Sequence, residues 1–185
     1  MKRCQWFNLK NELYIKYHDE EWGVPIHEDN KLFEMLILEG AQAGLSWETI
    51  LKRRKTYRLA YKGFNPKIVS QFNDNDKKRL LADSGIIRNR LKVDASILNA
   101  NIFVKIQEEF GSFDKYLWEF VDNKPIKNNF KRLEDLPVST PLSDKISKDL
   151  KARGMKFVGS TIIYAYMQAI GLVSDHTKDC FKHIN

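Results

Sequence analysis

Cysteine is nearly absent from this sequence: there are two in 185 residues, Cys4 and Cys180. Two cysteines cannot build a disulfide framework, which leaves metal ligation or core packing as their uses. Long apolar runs are missing too. Charges interrupt every stretch before it reaches the length of a membrane span, and no apolar signal core follows Met1, Lys2 and Arg3. The expectation is a cytoplasmic protein with no membrane partner. Strict apolar–polar alternation, the strand pattern, is not sustained anywhere, and repeats and low-complexity tracts are lacking. The fold class that remains is all-α, arranged as one domain over residues 1–185.

Helical punctuation is plentiful. Residues 30–43 carry Leu32, Phe33, Met35, Leu36, Ile37 and Leu38, too dense for a single stripe, so this helix should be buried on most sides. A second helix is predicted over 47–61. Asn65-Pro66 reads as an N-cap with proline at the first helical position. Asp74 or Asn75 opens another helix that ends at Gly85. Over 89–110, Leu91, Ala95, Leu98, Ile102 and Ile106 fall on one face. Gly111 closes that helix and Ser112 caps 113–121. The region 122–142 holds three of the five prolines and reads as loop. Ser143 is expected to cap a helix stopping at Gly154, and an apolar helix over 160–170 ends at Gly171.

Charge points to polyanions. The chain carries 31 Lys+Arg against 24 Asp+Glu, a net of +7, in clusters such as 52–58, 77–79 and 88–92. A basic surface suits nucleic acid, or is simply solvated. The segment LLADSGIIRNRLK at 80–92 sharpens this. A helix stops at Gly85, Ile86 and Ile87 anchor a short turn, and a new helix begins with Arg88, Arg90 and Lys92. Helix N-termini disfavour cations unless an anion is to be bound there, whereas a plain αα-hairpin has no such need.

Two further constellations carry chemistry. Cys4 with His18, and His176 with Cys180, make a tetrahedral set for zinc. Core cysteines with surface histidines are the alternative, and His27 and His183 are rival ligands. Glu39 follows Leu36, Ile37 and Leu38, where a carboxylate is either buried, needing partners or a raised pKa, or turned out to solvent at the helix end. Gly44 then permits a turn at which Leu45 protrudes, and Trp47 restarts the helix. Trp6, Tyr14, Tyr17 and Trp22 lie nearby in sequence. They are core aromatics, or, with Glu39, walls for a flat cationic ring.

The segments RCQWF at 3–7, YIKYHDEEWGVP at 14–25, KLFEMLILEGAQAGLSW at 31–47, SGIIRNRLK at 84–92 and KFVGSTIIYAYMQAIGLVSDH at 156–176 together resemble the bacterial 3-methyladenine DNA glycosylases of the constitutive type, the Tag family. The resemblance spans nearly the whole chain. It implies the helix–hairpin–helix glycosylase fold and hydrolysis of the N-glycosidic bond of a flipped-out 3-methyladenine in double-stranded DNA. It implies structural zinc on Cys4, His18, His176 and Cys180, with His183 ranked below His176. Glu39 is implied as the base-reading, catalytic carboxylate, with Tyr17, Trp47, Trp6, Tyr14 and Trp22 around the base. Leu45 beside Gly44 is implied to fill the gap in the stack, and Gly85, Ile86, Arg88 and Arg90 to meet DNA. Asp94, the nearest acid after the hairpin, is given no catalytic role, and no lysine nucleophile for strand cleavage is apparent. The protein is expected to be a monomer. A glycosylase for another alkylated purine and a non-catalytic zinc-stapled DNA-binding module are the competing readings.

Overall fold

The computed structural model describes residues 1–183. Nine α-helices account for most of them: α1 Glu12–Glu20, α2 Asp29–Gln42, α3 Trp47–Ala60, α4 Pro66–Val69, α5 Asp74–Ala82, α6 Arg90–Phe110, α7 Phe113–Trp118, α8 Pro141–Ala152 and α9 Ser160–Ala169. The fold is mostly helical rather than strictly all-α. Ile126–Lys127 (β1) pairs in parallel with Val173–Ser174 (β2), a two-residue ladder that ties the 122–142 region to the segment after α9. The pairing is too short to leave an alternation pattern. Among the described residues, no helix is long and apolar enough to cross a membrane.

The centre of the molecule is α2. Leu32, Phe33, Met35, Leu36, Ile37 and Leu38 are all buried, as their density requires, because α3, α6, α7 and α9 pack around this one helix. Its start is pinned by Asp29, whose carboxylate accepts from the backbone N–H groups of Phe113 and Asp114 and so caps α7. The expected caps at Asn65 and Ser112 form. Asn73 caps α5 through a reciprocal bond with Asp76.

Three expectations need correction. Helix α8 begins at Pro141 under a Thr140 cap; Ser143 is its third residue, and its hydroxyl accepts from Thr140 N–H. Two hydroxyls three apart are both plausible caps, and the proline decides between them because it fits the first helical position. On α6, Leu91 is 71% exposed and Leu98 40% exposed. Ala95, Ile102 and Ile106 are buried as expected, and the buried face also runs through Val93, Ser96, Ala100 and Phe103. It passes through polar residues whose needs are met internally: Ser96 donates to Val93 O and is hydrogen-bonded to Tyr61 Oη, and Asn99 bonds the Lys156 backbone. Helix α5 stops at Ala82, before Gly85, because Asp83 takes an extended conformation.

A candidate base pocket, a cysteine–histidine cluster and a basic hairpin

Two glutamates on α2 are buried, and their surroundings are opposite. Glu34 is met by Arg54 Nε and by Arg58 Nε at 2.9 Å, while Arg54 also reaches Glu21 at 2.6 Å. Its charge is therefore compensated. Glu39, 4% exposed, has no hydrogen-bond partner among the described residues. Burial pushes its carboxyl up from 4.5 to about 8. An uncompensated carboxyl in a core costs several kcal/mol when ionised, so it stays protonated unless a donor or a cation meets it.

What faces it is a cavity of about 340 Å³. Tyr14 and Tyr17 from α1, Trp22 from the turn after it, Trp6 from the N-terminal segment and Trp47 at the start of α3 line it with Glu39. The rings form two groups. Trp6 packs on Trp22 with centroids 4.8 Å apart and edge-on to Tyr14 at 5.5 Å, and Tyr17 packs on Trp47 at 5.4 Å. The indole N–H groups of Trp6 and Trp47 are buried and have no acceptor among the described residues. All six expected pocket residues are thus brought together. Gln42, Ala165, Gln168, Leu136 and Pro137 also line the cavity and were not anticipated. Gln168 had a signal, as the sole polar side chain between Tyr166 and Ile170 in an apolar helix. Leu136 and Pro137 come from the proline-rich loop and had none.

Beyond Glu39 a second cavity, about 300 Å³, lies against Gly44 and Leu45. Gly44 has φ of 75°, the left-handed conformation that suits glycine. Leu45, 40% exposed, sits at the tip, and Ser46 then caps α3 through Thr49 N. The loop therefore connects the helix of Glu39 to the helix of Trp47 and presents a leucine to solvent between them.

Cys4, His18, His176 and Cys180 form one buried cluster whose ligand atoms all lie within 4.8 Å of one another. Cys180 Sγ is 3.5 Å from both His18 Nε2 and His176 Nδ1, and Cys4 Sγ is 3.5 Å from His176 Nδ1. For a four-coordinate cation held by two thiolates and two imidazoles the ligand–ligand edge is about 3.5 Å, so the donor set fits a metal ion. The outward nitrogens are already used. Asp19 accepts from His18 Nδ1 at 2.7 Å, and Trp22 O accepts from His176 Nε2 at 3.1 Å, which leaves the inward nitrogens as lone-pair donors. Asp19 is itself held by a two-pronged bond from Arg3, and that guanidinium, with His18, keeps its carboxyl down at about 2. The rival histidines are elsewhere. His27 bonds Asp114, and His183 bonds the backbone carbonyl of His176. Phe7 and Trp22 stack on His18, so the cluster adjoins the aromatic wall.

The hairpin at 83–89 is fastened to α3. Thr56 Oγ1 donates to Gly85 O at 2.5 Å, and Ile87 N donates to Tyr57 Oη at 3.1 Å. A Cβ on Gly85 would come within 2.9 Å of Thr56 Cβ, so only glycine permits this approach. Ile86 is buried beneath the turn. The amides of Gly85, Ile86 and Ile87 are consumed by Asp83 and Tyr57. The N–H groups of Arg88, Arg90 and Leu91 have no partner among the described residues, and the Arg88 and Arg90 side chains are exposed and unpaired there. Asp94 is paired with Lys77 at 3.3 Å and does not line the pocket.

Comparison with known proteins agrees with this arrangement. The family model described as methyladenine glycosylase matches residues 6–183. DNA-3-methyladenine glycosylase 1 of Escherichia coli K12 is 47% identical over 180 residues, covering 97% of this chain and 96% of that protein. The DNA-3-methyladenine glycosylase of Haemophilus influenzae is 43% identical over 178 residues, covering 96% of each. A crystal structure of 3-methyladenine DNA glycosylase I superposes with a TM-score of 0.95 at 48% identity, over 99% of this chain and 100% of that one. The Staphylococcus aureus enzyme, whose structure concerns recognition of 3-methyladenine, gives 0.95 at 36% identity over 100% and 98%. With the family model and full-length relatives in agreement, the chain belongs to the methyladenine glycosylase family.

Proposed function

We propose that this protein is a monofunctional DNA glycosylase that hydrolyses the N-glycosidic bond of 3-methyladenine in alkylated double-stranded DNA, opening base excision repair. The observation that carries the reading is Glu39, a buried, uncompensated carboxyl facing an aromatic-walled cavity.

Methylation at ring nitrogen 3 leaves the nucleotide's purine positively charged, which makes it a good leaving group. Reaching it requires extrusion from the duplex, at a cost of a few kcal/mol. The free amides of Arg88, Arg90 and Leu91 and the two exposed guanidinium groups of the hairpin would grip phosphates, while Leu45 occupies the vacated stack. Trp6, Tyr14, Tyr17, Trp22 and Trp47 enclose the base. A cationic ring over an aromatic face gains roughly 0.5–2 kcal/mol.

Glu39 makes the distinction between damaged and normal bases. At neutral pH its carboxyl is protonated in the empty pocket, because burial raises it to about 8. A cationic base draws it to ionise and accept hydrogen bonds from the exocyclic amine. Neutral adenine exerts no such pull, so the desolvation cost is left unpaid. Water then attacks the sugar carbon through an oxocarbenium-like transition state, which leaves an abasic site.

Cys4, His18, His176 and Cys180 would hold zinc. All four positions are protein ligands, so the metal is a structural staple with no place for an activated water. It joins α1 and the aromatic wall to the C-terminal segment. The reading extends to a monomeric, cytoplasmic enzyme meeting chromosomal DNA, with residues 1–185 as one catalytic domain. Oligonucleotides each bearing one defined lesion test it. Excision confined to alkylated adenine supports the assignment, and preference for another purine lesion overturns it.

A further inference from the structure

Lys92 turns back onto the protein, although it belongs to the basic run that opens α6. Its ammonium group donates to Ala41 O at 2.8 Å and to Ala43 O at 2.7 Å. These are C-terminal carbonyls of α2, a helix that ends with no basic residue in its last turn. The ammonium therefore supplies the cation that a helix C-terminus favours. It does so from the first turn of another helix, where its own charge is disfavoured. The arrangement spans about fifty residues of sequence, and its two acceptors lie immediately before the Gly44–Leu45 loop.

Three contacts thus bind the hairpin to the pocket. Thr56 and Tyr57 hold its turn to α3. Lys92 holds the start of its second helix to the end of α2, on the other side of the loop that carries Leu45. We infer that Lys92 is a positioning residue that fixes the Leu45 loop in register with the phosphate-gripping hairpin. Gripping the backbone and filling the stack then occur at one set separation, with Glu39 one turn back along α2. The inference rests on the roles given above to Leu45 and to the hairpin.

The test uses the full-length protein with Lys92→Met, Lys92→Arg, Leu45→Ala and the Lys92→Met, Leu45→Ala double variant. Excision is measured on a duplex with one 3-methyladenine opposite thymine, and on the same duplex with a mismatched base opposite, where extrusion is easier. Lys92→Met should lower kcat/KM on the paired duplex by roughly tenfold to a hundredfold, the scale of a misplaced group rather than a missing one. The loss should shrink on the mismatched duplex, and affinity for free 3-methyladenine should stay at the wild-type value. Lys92→Arg, which retains charge and donors, should recover most of the activity and also serves should the methionine variant fold poorly. In the double variant, Lys92→Met should add little to Leu45→Ala.

Equal losses on both duplexes, or full additivity with Leu45→Ala, would overturn the positioning role. So would a flatter dependence of DNA affinity on salt in Lys92→Met, the mark of a phosphate contact. Failure of Leu45→Ala to affect the paired duplex would instead remove the wedge reading itself, and the inference with it. An effect of Leu45→Ala without one of Lys92→Met refutes the positioning role alone.

Discussion

Replacing Glu39 with glutamine keeps the side-chain shape and removes the proton equilibrium, so it isolates the cost of the buried carboxylate. That carboxyl rises from 4.5 to about 8 on burial. Between those values the folded protein retains a proton that the unfolded chain has released. The unfolded state therefore binds fewer protons, and stability must fall as pH rises through this window, flattening above about 8. The difference corresponds to roughly 3–5 kcal/mol held against ionisation. Glu39→Gln carries no such slope. The two proteins should be about equally stable near pH 5, with the variant ahead by up to that amount near pH 8.5. Urea melts of both proteins at several pH values read the difference, and groups that titrate alike in each cancel. The variant should at the same time lose discrimination between damaged and normal bases. Wild-type affinity for a cationic purine should climb with pH up to about 8, while that of the variant stays level. A stability difference that does not change with pH would show that Glu39 is ionised throughout, and the account of the pocket would fail.

Other consequences are open to measurement. Cys180→Ser should lower zinc content and melting temperature together; a variant that keeps one zinc per chain would show that Cys180 is not a ligand. Asp19→Asn weakens the support of His18 Nδ1 and should reduce metal affinity by about tenfold to a hundredfold, measured by competition with a chelator. Replacing Arg88 and Arg90 together should weaken binding to all DNA sequences alike and reduce the salt slope by about two phosphate contacts; an unaltered slope would remove the phosphate-anchor reading.

Much of this was legible in the sequence because the signals were local. Helix α2 announced its central position through unbroken apolar density, and the caps at Asn65 and Ser112 lie one residue from the helices they start. The hairpin was readable because a glycine in the turn and misplaced cations fall within a dozen residues. What was hidden depends on groups distant in sequence. The buried face of α6 passes through Ser96 and Asn99, whose partners Tyr61 and Lys156 are 35 and 57 residues away. An apolar pattern alone therefore included Leu91 and Leu98, which are exposed, and passed over the polar part of the buried face. Lys92 looked like a phosphate ligand for the same reason, since its carbonyl acceptors lie on another helix. The opposite fates of Glu34 and Glu39 could not be told apart either. Both sit in one apolar helix, and only the fold shows that Arg54 and Arg58 reach the first and not the second.

The central claim is that this pocket removes a methylated adenine from DNA. The direct measurement is to incubate the purified protein with DNA treated with a methylating agent and identify the released bases by mass spectrometry. The account predicts free 3-methyladenine, abasic sites in equal number, intact strands, and no release by the Glu39→Gln variant above background. Strand cleavage accompanying release, or no free 3-methyladenine from a protein that binds the same DNA, would contradict it.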